Sequence, residues 1–230
     1  MRIVSLKINK FRAFTDAEFT IGKNITVLSG SNAVGKSTIL GLLGNSCELK
    51  VDKGKPILQP LFRCEWGELF KMSPSFDTTS SNVASISYEG ESDLKYRITW
   101  QENGTRGRLI PSTTTATGIQ TSAKKEYPSL YLGLSRLYPL GESTISATTA
   151  PTTVDVDPSS FLETYCKILS IHDEIQSVNR ITVDVTKRTP IGVNTDRYDY
   201  LTNSAGQDNL AQILLAVESF RKLKNEQSTD

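Results

Sequence analysis

Cysteine is scarce in this chain. The three residues, Cys47, Cys64 and Cys166, are an odd number without a C-x-x-C pair, which argues against a disulfide scaffold and against a cysteine-type zinc site. Each reads as a small apolar group. Long apolar runs are missing too: residues 39–43 and 211–217 fall far short of the ~18 needed to cross a bilayer. Lys7 and Lys10 interrupt the N-terminal apolar residues, so a secretory segment is not expected. Neither sign of charge predominates. With 26 basic and 25 acidic side chains the net charge is +1, so no molecule-wide field attracts nucleic acid or anionic membrane, and any polyanion site must be local. Internal repeats and sustained heptads are also absent, which argues against a solenoid or a long coiled coil. The expected setting is reducing and cytoplasmic, with no membrane partner.

What is present is an ordinary globular composition, 37% hydrophobic and 22% charged. At roughly 150 residues per domain it allows one large or two small domains. Residues 3–11 alternate, with Val4, Leu6 and Ile8 opposite Ser5, Lys7 and Asn9, the period of a half-buried strand. Further strands are expected at 18–21 and 25–28, separated by the turn-prone Gly22-Lys23-Asn24. Residues 85–88 and 94–100 predict an antiparallel meander, with a turn at Asn103-Gly104. The hydroxyl-rich stretches 112–123 and 143–153 read as surface loops around a buried strand at 130–134. Asp157-Pro158 opens a helix in which Phe161, Leu162, Tyr165, Ile168 and Leu169 recur at helical spacing; it is expected to reach residue 175 and to hold the lone histidine, His172. A short strand at 181–185 precedes a last helix marked by Leu210, Ile213, Leu214, Val217 and Phe220, ending near Leu223, with a frayed polar end at 224–230.

Between the strand at 25–28 and the helix after it stands Gly30-Ser31-Asn32-Ala33-Val34-Gly35-Lys36-Ser37, which satisfies G-x-x-x-x-G-K-[ST] in the context its chemistry needs. The glycines let successive main-chain N–H groups turn toward phosphate oxygens, and the helix adds the positive end of its dipole. Lys36 is placed to neutralise β/γ-phosphate charge, Ser37 to ligate Mg²⁺ and Thr38 to reach the α-phosphate. Chance produces such a string in on the order of one chain in a hundred of this size, before strand and helix context are imposed. The bland alternative, a glycine turn beside a surface lysine, is correspondingly weak. The expected ligand is ATP with Mg²⁺.

A second informative stretch, Asn203-Ser204-Ala205-Gly206-Gln207-Asp208, precedes the last helix. Its serine hydroxyl, glycine N–H and helix dipole together make an anion site; alternatively, Asn203 or Ser204 caps the helix. Taken with the phosphate loop, this stretch resembles the signature of ABC-type ATPases. Ile8-Asn9-Lys10-Phe11-Arg12-Ala13-Phe14 resembles the opening strand of the RecF, SMC and OLD-nuclease branch of that superfamily. Residues 55–71 and 131–142 are similar to AAA-like ATPases of the same branch, so the resemblance covers most of the chain. It implies an α/β P-loop NTPase head with a mixed sheet: a P-loop lobe at 1–50, an antiparallel β insertion at 80–140 and a helical segment with the signature at 157–223. In that family two heads sandwich nucleotide, which implies a homodimer in which Ser204 and Gly206 of one head meet the γ-phosphate held in the other. The resemblance also implies Arg12 near the nucleotide, the other reading being a solvated arginine on an edge strand, and a phosphate contact from Gln59 or Arg136.

The chain departs from this pattern after the signature. An apolar Walker B strand ending in Asp-Glu is expected there and does not occur before Asp230, nor do the D-loop and the switch histidine. Without a carboxylate to orient water, the chain is expected to bind nucleotide better than it hydrolyses it, and to be the N-terminal part of a longer ATPase or to be completed by a separate chain. The interval from Lys36 to Ser204 exceeds that of transporter subunits, yet carries no heptads, which points away from an SMC head and toward an OLD-like or defence-type ATPase coupled to DNA or a partner nuclease. The competing reading is a nucleotide-sensing module that dimerises on ATP without turnover. A P-loop kinase or GTPase is disfavoured by the lack of an Asn/Thr-Lys-x-Asp motif. Asp155 and Asp157 could pair on a metal, though a helix cap explains Asp157; Arg106 and Arg108 could touch a nucleic-acid phosphate, though a solvated turn explains them.

Overall fold

A computed structural model describes residues 2–69, 71–114, 118, 120–145, 149–154, 156–183 and 190–227. They fall into two compact units, 1–50 with 62–131 and 51–61 with 132–230. In the first, β1 (Ile3–Phe11) and β2 (Phe14–Thr20) form a hairpin whose turn puts Arg12 at a φ of 54°. Helix α1 (Lys36–Asn45), β3 (Cys47–Glu48) and the one-turn α2 (Trp66–Leu69) follow. Then β4 (Ser80–Tyr88), β5 (Leu94–Gln101) and β6 (Arg106–Thr114) make a meander, with the short β7 (Gln120–Thr121) and β8 (Lys125–Glu126) after it. The strand order is β2-β1-β4-β5-β6-β7, every pairing antiparallel. Where a mixed sheet was expected, the parallel pairing among the described residues is confined to the two-residue ladder of β3 with β8.

Alternation builds the core of this unit. Leu6 and Ile8 of β1, Ile86 of β4, and Leu94, Tyr96 and Ile98 of β5 turn inward against Ile39 and Leu42 of α1. Each such fully buried aliphatic side chain contributes about 1.5–3 kcal/mol. The buried Tyr96 hydroxyl donates to the Leu42 carbonyl at 2.9 Å, which pins the helix to the sheet and satisfies a carbonyl near its end.

Two expected strands of this region are not strands. Residues 25–28 run without a ladder partner among the described residues: Ile25 and Val27 are 81% and 82% exposed, and only Leu28 packs on the core. An apolar extended run becomes a strand only when a neighbour accepts its main-chain hydrogen bonds. Residues 128–133 are likewise irregular, leading to a 3₁₀ turn at Leu134–Leu137. Individual contacts hold them instead, as where the Ser129 hydroxyl donates to the Gly44 carbonyl at 2.9 Å.

In the second unit, β9 (Thr152–Thr153), α3 (Glu163–Leu169), β10 (Ile175–Arg180), β11 (Ile191–Thr195) and α4 (Ala205–Gln227) follow in chain order. The strands form an antiparallel sheet in the order β11-β10-β9. A π-helical turn at Pro158–Leu162 leads into α3, which ends at Leu169 rather than near residue 175. Ser170 adopts a φ of 54° and returns its N–H to the Cys166 and Lys167 carbonyls, so the chain leaves the helix there. His172 therefore lies exposed in the link to β10, not in a helix. The strand expected at 181–185 does not form over its described residues: β10 ends at Arg180, Ile181 and Thr182 are irregular, Val183 makes only an isolated bridge to Ile145, and 184–185 lie outside the described residues, as does Asp155. Helix α4 begins at the signature and continues through 224–227, which were expected to fray: their Lys, Asn, Glu and Gln carry at most a small helix penalty, and Lys222 meets Glu226 at 4.0 Å one turn on. It buries Ala211, Leu215, Ala216, Ser219 and Leu223, and the Ser219 hydroxyl oxygen accepts the Ile57 N–H at 2.9 Å.

Candidate functional site: the phosphate loop

Three positive φ values bend the chain between residue 29 and α1: 150° at Gly30, 66° at Ala33 and 92° at Gly35. Gly35 is required for two reasons. Its φ is one that side chains rarely adopt, and a Cβ there would stand 2.5 Å from the Phe14 ring. Phe14 itself packs edge-on against Phe19 with centroids 5.6 Å apart, so β2 backs the loop with aromatic rings.

Helix α1 starts without the usual protection. Gly35 supplies no capping side chain, and the first turn holds no acid. The Thr38 and Ile39 N–H groups close onto the Gly35 carbonyl at 2.9 and 3.2 Å, which leaves the Lys36 and Ser37 N–H groups with no intrahelical acceptor. The Lys36 ammonium turns back and donates to the Gly30 and Ser31 carbonyls at 2.7 and 2.6 Å. The result is a ring of main chain closed by its own cation at the positive end of a helix. Residues 30–34 and Ser37 are exposed, whereas Thr38 is buried in the first turn. Such an arrangement holds an anion with several oxygens. Ser37 offers one hydroxyl to a divalent cation, and no group of three or more His, Cys, Asp or Glu side chains that could hold a metal exists among the described residues.

A family model described as an AAA domain matches residues 5–140, more than half of the chain. The chain belongs to the AAA domain family. No curated protein and no solved structure matches it. The AAA match runs from β1 through the phosphate loop and the meander, so membership and local geometry agree on an ATP-binding, ATPase-type P-loop domain. Among the described residues of this AAA protein, no helix is long and apolar enough to cross a membrane.

The other expected site residues have identifiable tasks. Arg12 is exposed but not loose: its Nε meets the buried Asp77 carboxylate at 3.4 Å, its Nη2 donates to the Lys71 carbonyl at 3.0 Å, and its guanidinium lies 5.3 and 5.9 Å from the Phe11 and Trp66 ring centroids. It ties segment 71–77 to the β1–β2 turn. Gln59 donates to the Leu61 carbonyl at 2.6 Å, and Arg136 to the Leu132 and Gly133 carbonyls at 2.6 and 2.9 Å, so each holds its own stretch of the second unit. Asp157 accepts the Phe161 N–H through its main-chain oxygen at 3.0 Å.

At the signature, the capping alternative is realised. The Ser204 hydroxyl oxygen accepts the Gln207 N–H at 3.3 Å, while the Ser204 N–H donates to Gln207 Oε1 at 2.8 Å, a reciprocal capping box. Asn203 is buried and donates to the Val193 carbonyl and to Asp208 Oδ1 at 3.1 and 3.2 Å. Burial raises the Asp208 carboxyl above its ordinary value, against the opposing pull of the Leu140 and Asn203 hydrogen bonds. The cap still leaves Ser204 and Gly206 exposed, with the Gly206 N–H in the unsatisfied first turn. Phe14 and Asp77 were not legible as site residues, because each acts through a partner distant in sequence.

Proposed function

We propose that this AAA protein binds the triphosphate of Mg²⁺-ATP in the loop of residues 30–38, and that binding drives two copies together with Ser204 and Gly206 of each facing the nucleotide of the other. The observation that carries the reading is the open start of α1, with neither cap nor acid, beside a lysine already turned into the loop. Bound Mg²⁺ supplies charge neutralisation to the β/γ-phosphates. The chain's own part is to orient them: main-chain N–H groups hold the oxygens and Lys36 moves from two carbonyls to the phosphate. The dimer then acts on DNA or on a partner such as a nuclease.

The test is retention of a fluorescent ATP analogue with Mg²⁺. Lys36→Ala is expected to weaken it by at least about tenfold, the loss of one charge-assisted contact; unchanged affinity sinks the reading. A second reading, a nucleotide-sensing module that dimerises without turnover, keeps the same loop chemistry and is separated from the first by whether phosphate is released.

A further inference from the structure

The second unit holds a cavity of about 260 Å³ lined by three cations from three separate parts of the chain: Lys55 just before Pro56, Arg180 at the end of β10, and Lys222 on α4. The hydroxyl-bearing β9 lines it as well, and no carboxylate is among its described lining residues.

Ile57 is where these parts are tied together. Its N–H donates to the Ser219 hydroxyl of α4 at 2.9 Å, and its carbonyl accepts an N–H from Arg180 Nη2. Lys55 precedes Ile57 by two residues, and Lys222 follows Ser219 by three, which puts it on the same face of the helix. The register sets Thr152 of β9 directly opposite Arg180, so that hydroxyl and guanidinium share one face of the sheet. Contacts to main chain and strand pairing therefore fix the convergence, which distinguishes it from a gathering of loose surface lysines.

The charges gathered there are poorly neutralised. Lys222 meets only Glu226, at 4.0 Å and one turn further on, while Lys55 and the Thr152 hydroxyl have no hydrogen-bond or ion-pair partner among the described residues. The half-buried Arg180 faces no carboxylate among those residues; it spends one N–H on the Ile57 carbonyl, and its buried Nε has no hydrogen-bond partner. A guanidinium is seldom left with an unmet donor and no counter-charge. Three like charges held close together repel one another, and an anion seated among them relieves that repulsion.

We infer that this cavity binds a compact phosphate group, whose oxygens Lys55, Arg180 and Lys222 surround and to which the Thr152 hydroxyl donates a further hydrogen bond. Its volume lies below the roughly 300–1,000 Å³ of pockets for drug-sized ligands, which suits inorganic phosphate or the head of a small phosphomonoester and is too small for a whole nucleotide. None of its residues belongs to the phosphate loop or the signature, and the inference stands whether or not the loop binds ATP.

Titration calorimetry reads occupancy directly. The probes are inorganic phosphate and glycerol 3-phosphate, each titrated into wild type and into Lys36→Ala, in which the phosphate loop has lost its cation. Binding is expected to survive Lys36→Ala. In that background the dissociation constant is expected to rise about tenfold in Lys55→Gln and in Lys222→Gln, as one charge-assisted contact is lost. Lys224→Gln, two residues further along α4 and outside the cavity lining, is expected to leave it unchanged. Lys55 and Lys222 are exposed, and thermal melts verify that the variants fold; Arg180 is left in place because it also holds Ile57. Binding of inorganic phosphate alone assigns the free anion, of the monoester alone an esterified head, and of both a site that reads the phosphate group itself. No binding of either probe by folded Lys36→Ala protein, binding untouched by both lysine variants, or binding weakened as much by Lys224→Gln overturns the assignment.

Discussion

At residue 35 two constraints coincide, a φ of 92° and a Phe14 ring 2.5 Å from where a Cβ would stand. Gly35→Ala is therefore expected to destabilise the first unit by about 1–3 kcal/mol, the cost of a non-glycine residue held in a rarely populated region, and to weaken nucleotide binding as the loop shifts. Trimming the ring with Phe14→Leu in the same chain is expected to return only part of the loss, because the backbone strain stays. A thermal melt of both variants checks this; an unchanged midpoint for Gly35→Ala would sink it. The string around Gly35 was readable because glycine, lysine and serine act there through adjacent main chain. The tie that Arg12 makes was not legible because its partner Asp77 is 65 positions away, and nothing local in either residue announces the other.

At the scale of elements, α4 shows how a motif carries two meanings. Four residues, Ser204 to Gln207, stop the helix from unwinding, and the same four leave Ser204 and Gly206 facing solvent. Behind them Asp208 is 1% exposed and accepts the Leu140 N–H at 2.9 Å and the Asn203 amide at 3.2 Å. Asp208→Ala leaves those buried donors without an acceptor and is expected to cost about 1–3 kcal/mol, read by chemical denaturation. Because burial raises this carboxyl, the folded chain holds its proton more tightly than the unfolded chain does. Wild type should thus lose stability as pH climbs from the ordinary aspartate range through the raised value, while Asp208→Asn lacks that slope. Equal slopes in the two proteins would refute the burial argument. Helical period marked the apolar face of α4 but not its ends, which lie in the capping box and in a polar last turn. In α3 the period ran out at Leu169 just as the chain turned left-handed at Ser170, a conformation that serine does not advertise.

For the whole molecule, the class of fold and the phosphate loop were legible and the topology was not. Alternation revealed β1, β4 and β5 separately, but their order in one sheet follows from register, which depends on neighbours brought together only by folding. Arg97 and Arg108 likewise become neighbours only once β5 and β6 pair. Assembly is testable at this scale. Light scattering with and without Mg²⁺-ATP is expected to show dimers that Ser204→Arg disrupts, with its melt recorded to separate a lost cap from a lost contact. A monomer at every nucleotide concentration would defeat the sandwich, and steady phosphate release by this chain would exclude the sensing module.

The uncovered stretch at 25–28 bears on how such measurements behave. Ile25 and Val27 stand bare beside main-chain groups that lack ladder partners among the described residues, which leaves an apolar extended run open to a second copy at high concentration. Any self-association through these bare side chains is expected to be indifferent to nucleotide and to fall away on dilution alone, which light scattering without ATP checks.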